Sequence, residues 1–116
     1  TQHDPVVTVR QMIDCVTDAA AGHGKSLAAL DEDQVLTLAL TRLVEVAGEA
    51  ANRLPTEMRM RYSEIPWREM IGMRNVLIHG YDIASVDILH AVVTQDLPRV
   101  LPRLEQMLVA LSGDSP

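Results

Sequence analysis

The segment VLTLALTRLVEVAGEAANRL, residues 35–54, restricts the possible folds more than any other part of the chain. Its apolar residues recur at intervals of three and four, which is the period of an α-helix. They cover a broad surface of that helix, at Val35, Leu36, Leu38, Ala39, Leu43, Val46, Ala47 and Ala50. Because a helix that is apolar over so wide an arc must bury several sides, we expect it to pack on more than one neighbour.

Prolines and capping residues predict where the helices begin and end. Asp4 can cap a first helix that starts at Pro5, because proline at the first helical position loses no hydrogen bond. Asp31, with Gln34 three residues later, has the spacing of a capping box and is predicted to begin the long helix. Pro55 is predicted to end that helix, because proline cannot continue the hydrogen-bond pattern.

The second half of the chain predicts two further long helices. Pro66 opens one of them, and Gly80 is expected to close it. The other is predicted to start near Ser85 and to run to about residue 111, with kinks at its two prolines, Pro98 and Pro102. No segment has the alternation of a paired strand.

Together these segments predict an all-α fold. We expect an antiparallel four-helix bundle with a short extra helix at residues 56–62, formed by a single domain over residues 1–116. Gly48 and Gly72 fall inside predicted helices, where each costs about 1 kcal/mol relative to alanine. We therefore expect both glycines to mark close approaches between helices.

Composition indicates an aliphatic core and a reducing environment. The chain has no Phe and one Trp, and its single cysteine, Cys15, excludes a disulfide within one chain. No apolar run approaches the roughly 18 residues of a membrane span, and the first ten residues lack the pattern of a secretory signal. We expect a cytoplasmic protein with no membrane partner.

Positive charge is concentrated in one quarter of the sequence. The net charge of the chain is −6, yet residues 53–81 hold five arginines and three glutamates, a local charge of +2. The total argues against a general nucleic-acid coat protein. The local excess permits an anion site, although arginines on helices usually lie on solvated faces.

The stretch MRNVLIHGYDIAS, residues 73–85, places four polar side chains near the predicted end of a helix. At about 100° per residue, Asn75 and His79 share one face, and Arg74 lies nearer the apolar stripe. An arginine in that position can grip phosphate oxygens, and a histidine can transfer a proton near neutral pH. Tyr81 can orient a substrate. The alternatives from chemistry alone are a helix-capping histidine and a structural arginine.

An arginine that leans toward apolar neighbours needs a carboxylate partner, because an unpaired buried charge is costly. Glu45 and Glu49, one turn apart on the preceding helix, are the candidates. The remaining histidines lack the spacing of metal ligands, so neither a metal nor a cofactor is predicted.

Three segments together resemble the HepT-like branch of the HEPN superfamily: VAGEAANRLP (46–55), IPWREMIGMRNVLIHGY (65–81) and DLPRVLPRLEQML (96–108). The signature of that family is an arginine, four intervening residues, a histidine, one residue and a tyrosine. Arg74, His79 and Tyr81 match it here, with Asn75 directly after the arginine. The resemblance extends over residues 35–111 and implies an HEPN-like bundle.

The resemblance also implies a metal-independent endoribonuclease, the toxin of a toxin–antitoxin module, acting as a homodimer whose two motifs meet in one cleft. RNA, not DNA, would be the substrate. Arg74 and His79 would be catalytic, and Asn75 and Glu49 would bind substrate or support the site. The implied partner is a nucleotidyltransferase antitoxin that adds AMP to Tyr81.

Two other interpretations remain open. HEPN-like domains also serve as non-catalytic modules that bind a nucleotide or a nucleotidyltransferase partner. The chain could also be a dimerisation bundle in which Arg74 only pairs with Glu49 across the core.

Overall fold

The computed structural model describes residues 4–20, 26–78 and 83–113, and within these ranges every regular element is a helix. In chain order they are α1 (Pro5–Ala20), α2 (Leu27–Glu32), α3 (Gln34–Arg53), α4 (Thr56–Arg61), α5 (Trp67–Ile78), α6 (Ile83–Ala91), a π-helical segment (Val92–Asp96) and α7 (Leu97–Gly113). In this part of the chain, no helix is both long enough and apolar enough to cross a membrane.

The start of α1 confirms the prediction from Asp4 and Pro5. The Asp4 carboxylate accepts the backbone N–H of Val6 at 2.9 Å, and the Asp4 carbonyl accepts from Thr8 at 3.0 Å. Pro5 takes the first helical position, where its missing N–H would have had no helical partner.

The start of the long helix differs from the prediction. Asp31 is not its N-cap, because Asp31 lies inside the short helix α2, which the sequence pattern did not predict. The cap of α3 is Asp33, whose carboxylate accepts the N–H of Leu36 at 3.0 Å. A hydrogen bond from the Thr37 hydroxyl to the Leu30 carbonyl, at 2.6 Å, fastens α2 to the first turn of α3.

The prolines that follow α3 have the predicted effect. The helix ends at Arg53, directly before Leu54 and Pro55, and α4 begins one residue later. Pro66 precedes α5, and its carbonyl accepts the N–H of Met70 at 3.0 Å. The predicted closing residue of this helix, Gly80, lies outside the described residues.

The last helical unit departs from regular α-helix just before Pro98, one of the two prolines at which a kink was predicted. α6 begins at Ile83, so Ser85 lies inside the helix and is not its cap, contrary to the prediction. The π-helical turn ends two residues before Pro98, with the N–H of Leu97 bonded to the carbonyl of Val92. Because Pro98 has no N–H for the carbonyl of Thr94, a widened turn relieves the conflict there. Pro102 lies within α7, which continues past it.

The packing confirms an all-α bundle of four long units: α1, α3, α5 and the unit from α6 to α7. α3 contacts α1 and α5 extensively and also touches α2 and α6, as its broad apolar surface predicts, and α1 packs on α7. The core is aliphatic and methionine-rich, with fully buried side chains that include Val9, Met12, Val16, Leu30, Leu89, Val93, Leu104 and Met107. The molecule measures 50 × 25 × 23 Å.

The two helix glycines have different surroundings. Gly48 is buried within α3. Gly72 is half-buried, but a Cβ built on it meets no atom within 4 Å. The prediction of a close helix approach at Gly72 is therefore wrong, because the space beside this residue is open.

Candidate active site on α5 and its surroundings

The polar motif begins inside α5. Arg74 and Asn75 lie in the second half of this helix, and the structure describes their backbone positions. His79 and Tyr81 follow the last described residue of α5 and lie outside the described residues. Glu69 stands in the first turn of α5, where a carboxylate interacts favourably with the positive end of the helix dipole.

The helix places Arg74 and Asn75 on different faces. Position 74 follows Met70 by one turn and Trp67 by two, and both of those side chains are buried. Position 75 follows Arg68 by two turns, and Arg68 is exposed. The backbone of α5 therefore places position 74 in line with Met70 and Trp67, and position 75 in line with Arg68.

Glu45 and Glu49, the predicted partners of Arg74, both lie near another arginine. The carboxylate of Glu45 is 3.2 Å from the guanidinium of Arg42, and that of Glu49 is 4.0 Å from it. Arg42 was absent from the sequence-based predictions, although its spacing of three and seven residues from the glutamates could have indicated it. The pairing of Arg74 with either glutamate stays a prediction.

An apolar cleft of about 480 Å³ lies between α5 and the π-helical segment and α7, with α3 beneath it. Its apolar lining comprises Val44, Ala47, Met70, Met73, Val92, Leu97 and Val100, and its charged lining comprises Glu69, Asp96, Arg99 and Arg103. Arg103 also donates a hydrogen bond to the carbonyl of Glu64, which ties α7 to the turn before α5. Met73 lines this cleft, and Arg74 is the next residue in the sequence.

A second depression, of about 650 Å³, lies between α4 and the start of α5. Arg59 and Arg68 contribute positive charge to it, and both belong to the arginine-rich segment of the sequence. The local charge of this segment permitted an anion site, but the sequence did not indicate that these two arginines share one groove.

Potential metal ligands are dispersed over the part of the chain that the structure describes. In these ranges, no three histidine, cysteine or acidic side chains lie close enough to hold a metal ion. Cys15 is half-buried in α1, and burial, with smaller contributions from Asp18 and Asp14, raises the pKa of its thiol. A neutral thiol of this kind is a poor nucleophile.

Comparison with known proteins gives one family. A model of the family described as "Ribonuclease HepT-like" matches residues 9–107, which include most of the core and the three segments singled out in the sequence, except for the last residue of the third. The match contains most of α1, all of α2 to α6, the π-helical segment and the greater part of α7.

Individual relatives agree with the family match. A protein of Caldanaerobacter subterraneus subsp. tengcongensis named "Putative RNase" is 36% identical over 77 residues, which cover 66% of this chain and 69% of the relative. The "Probable ribonuclease HepT" of Thermococcus cleftensis is 36% identical over 75 residues, or 65% of this chain and 68% of the relative. A "Putative RNase" of Methanocaldococcus jannaschii is 32% identical over 73 residues, covering 63% and 67%. No solved structure matches the chain.

Proposed function

The chain belongs to the HepT-like ribonuclease family, and from this premise we propose that it is a metal-independent endoribonuclease with Arg74 and His79 as catalytic residues. The observation that carries the proposal is the run from Arg74 to Tyr81, which begins in α5 and lies within the family match. We propose a cytoplasmic location, because cellular RNA is the substrate of this activity.

The proposed reaction is an internal transfer at phosphorus. The 2′-oxygen of a ribose attacks the adjacent phosphate, a P–O2′ bond forms, and the P–O5′ bond breaks. A base takes the 2′-hydroxyl proton and an acid supplies a proton to the departing 5′-oxygen, which leaves a 2′,3′-cyclic phosphate and a 5′-hydroxyl. His79 acts as base or acid. Arg74 stabilises the charge that develops on the phosphate oxygens.

Asn75 and Glu49 have supporting roles in this proposal. Asn75 holds the phosphate or fixes the ring of His79, which lies one turn later in the sequence. Glu49 is a partly exposed carboxylate on α3, the helix against which α5 packs. It balances the arginines of the site, with Arg42 already within 4.0 Å.

A homodimer would bring two copies of the motif to one cleft and supply two histidines, one as base and one as acid. Support for a dimer comes from the outer face of α3, where Val35 and Leu38 are 79% and 44% exposed. By helical periodicity, Arg42 and Glu49 lie farther along the same side of α3. A second copy that covers Val35 and Leu38 would therefore also cover the approach to Glu49.

Neutralisation by a nucleotidyltransferase antitoxin completes the proposal. The phenolic oxygen of Tyr81 attacks the α-phosphorus of ATP, pyrophosphate leaves, and the phenolic proton passes to a base. The added AMP carries negative charge two residues from His79, where it would occupy the anion site and repel RNA.

Cleavage of cellular RNA by the purified protein, with excess EDTA present, tests the central claim. Arg74→Ala and His79→Ala should each lose cleavage, and the parent should leave 2′,3′-cyclic phosphate ends. Arg10→Ala, at an exposed position on α1, and His3→Ala, outside the motif, are the matched controls and should cut like the parent. Equal cleavage by parent and His79→Ala would overturn the catalytic assignment, and no cleavage by any protein would favour a partner-binding module.

The dimer and the modification have separate tests. Light scattering should give the mass of two chains for the parent and of one chain for Leu38→Glu, with Val109→Glu, exposed on α7, as the control. Tyr81→Phe should stay toxic when the antitoxin is co-expressed. Continued neutralisation of Tyr81→Phe would show that the antitoxin acts by occlusion.

A further inference from the structure

The groove between α4 and α5 carries arginine groups that lack partners. The side chain of Arg59 is half-buried, and its Nε–H is buried with no hydrogen-bond partner among the described residues. Its Nη2 reaches the Thr56 hydroxyl at a long 3.4 Å. Arg68 is exposed, and in the described ranges neither arginine forms a salt bridge.

Unpaired guanidinium N–H groups favour an anionic ligand. A guanidinium offers several donors in a fixed plane that matches two phosphate oxygens. Asn52, Thr56 and Ser63 line the same groove and supply the neutral polar groups that usually contact phosphate and sugar.

The charge of the groove is opposite to that of the whole chain. Arg59 and Arg68 outnumber the single carboxylate of the groove, Glu69, on a chain whose net charge is −6. A polyanion would therefore be repelled by most of the surface and attracted here. The excess of positive charge in the groove therefore favours a ligand with a phosphodiester backbone.

The groove also points toward the candidate active site. Arg68, Gly72 and Asn75 follow one another at intervals of four and three residues, so their positions lie along one face of α5. The helix rise places position 75 about 10 Å beyond position 68. Between them, Gly72 leaves open space beside the helix, which lets a ligand chain pass close to the backbone.

We propose that the groove lined by Arg59 and Arg68 binds the sugar–phosphate backbone of single-stranded RNA on one side of the bond that is cut. The inference rests on the proposed RNA cleavage and adds a substrate-binding site to it.

Salt-dependent binding of a labelled 2′-O-methyl oligoribonucleotide tests this inference separately from catalysis, because that ligand lacks the attacking 2′-hydroxyl. Each of Arg59→Gln and Arg68→Gln should reduce the slope of log K against log salt concentration by about 0.7, the value for one phosphate contact on a single strand. Arg10→Gln, an arginine on α1 outside the groove, should leave the slope unchanged. Gly72→Glu adds a carboxylate to open space and should weaken binding without removing a contact.

In cleavage assays, both groove variants should raise KM for RNA and leave kcat close to that of the parent. The thermal midpoint of Arg59→Gln shows whether this half-buried position affects folding. Arg68 is exposed, so Arg68→Gln tests the groove without disturbing the core. If both variants keep the slope and KM of Arg10→Gln, the groove inference is wrong even when the parent cuts RNA. If the slopes fall as expected but the parent cuts no RNA, the proposed catalysis fails and the binding site stands. The inference would also be overturned if the two groove variants bound a protein partner less tightly but bound the oligoribonucleotide as the parent does.

Discussion

Gly72 has room for a side chain that the natural sequence does not use. Glycine in a helix interior costs about 1 kcal/mol relative to alanine, and a Cβ at this position meets no atom within 4 Å. We expect Gly72→Ala to raise the free energy of unfolding by about 1 kcal/mol, measured by urea denaturation. Gly113→Ala, at the last position of α7 and equally open, should gain much less because helix ends fray.

The thiol of Cys15 should titrate at a higher pH in the folded than in the unfolded chain. Burial is the main cause of its raised pKa, and the charges of Asp18 and Asp14 act in the same direction. We expect the pH midpoint for alkylation by iodoacetamide to be higher in the native protein than in urea. Equal midpoints would contradict the described burial of the side chain.

The same shift predicts the sign of a pH effect on stability. Above the pKa of the unfolded thiol, the unfolded chain binds fewer protons than the folded one. The free energy of unfolding should therefore be fully retained below that pH and fall as pH rises toward the folded pKa. Cys15→Ser should remove this component of the pH dependence.

At the scale of elements, the junction between α2 and α3 separates two candidate caps that lie two residues apart. The Asp33 carboxylate accepts the N–H of Leu36 at 3.0 Å, whereas Asp31 is an exposed residue inside α2. We expect Asp33→Ala to lower the free energy of unfolding by about 1 kcal/mol, the usual cost of a lost N-cap. Asp31→Ala should change it little, and the reverse ranking would favour the capping box that the sequence suggested.

Helix ends that depend on the backbone alone could be predicted from the sequence. Pro5, Pro55 and Pro66 act through the missing N–H, which needs no knowledge of neighbours. The start of α3 could not be predicted, because the choice between Asp31 and Asp33 depends on Leu30, which is buried in the core and fixes α2 as a separate helix. Burial of this kind is decided by distant parts of the chain.

The candidate site shows the same division. The motif from Arg74 to Tyr81 is readable in the sequence because its spacing is local, and its start within α5 follows from helical periodicity. The groove of Arg59 and Arg68, by contrast, depends on how α4 and α5 pack against each other. Local patterns do not contain that information.

For the whole molecule, stability rests on the aliphatic core around α1, α3 and α7. Leu104 of α7 is fully buried, while Val109, five residues later, is 72% exposed. We expect Leu104→Ala to lower the free energy of unfolding by about 2–5 kcal/mol, a large part of the total for a chain of this size. Val109→Ala should change it by less than about 0.5 kcal/mol, and similar losses at both positions would contradict the described packing.

The single tryptophan has an optical consequence. Trp67 is the first residue of α5, only 7% exposed, and its indole N–H donates to the carbonyl of Tyr62 at 3.0 Å. Its emission therefore comes from one dry location at the base of the helix that carries Arg74. A shift of that emission toward longer wavelength, without loss of circular dichroism, would register a loosening of the structure around Trp67 at the start of α5. The chain thus contains a natural fluorophore for following this helix when RNA or a partner protein binds.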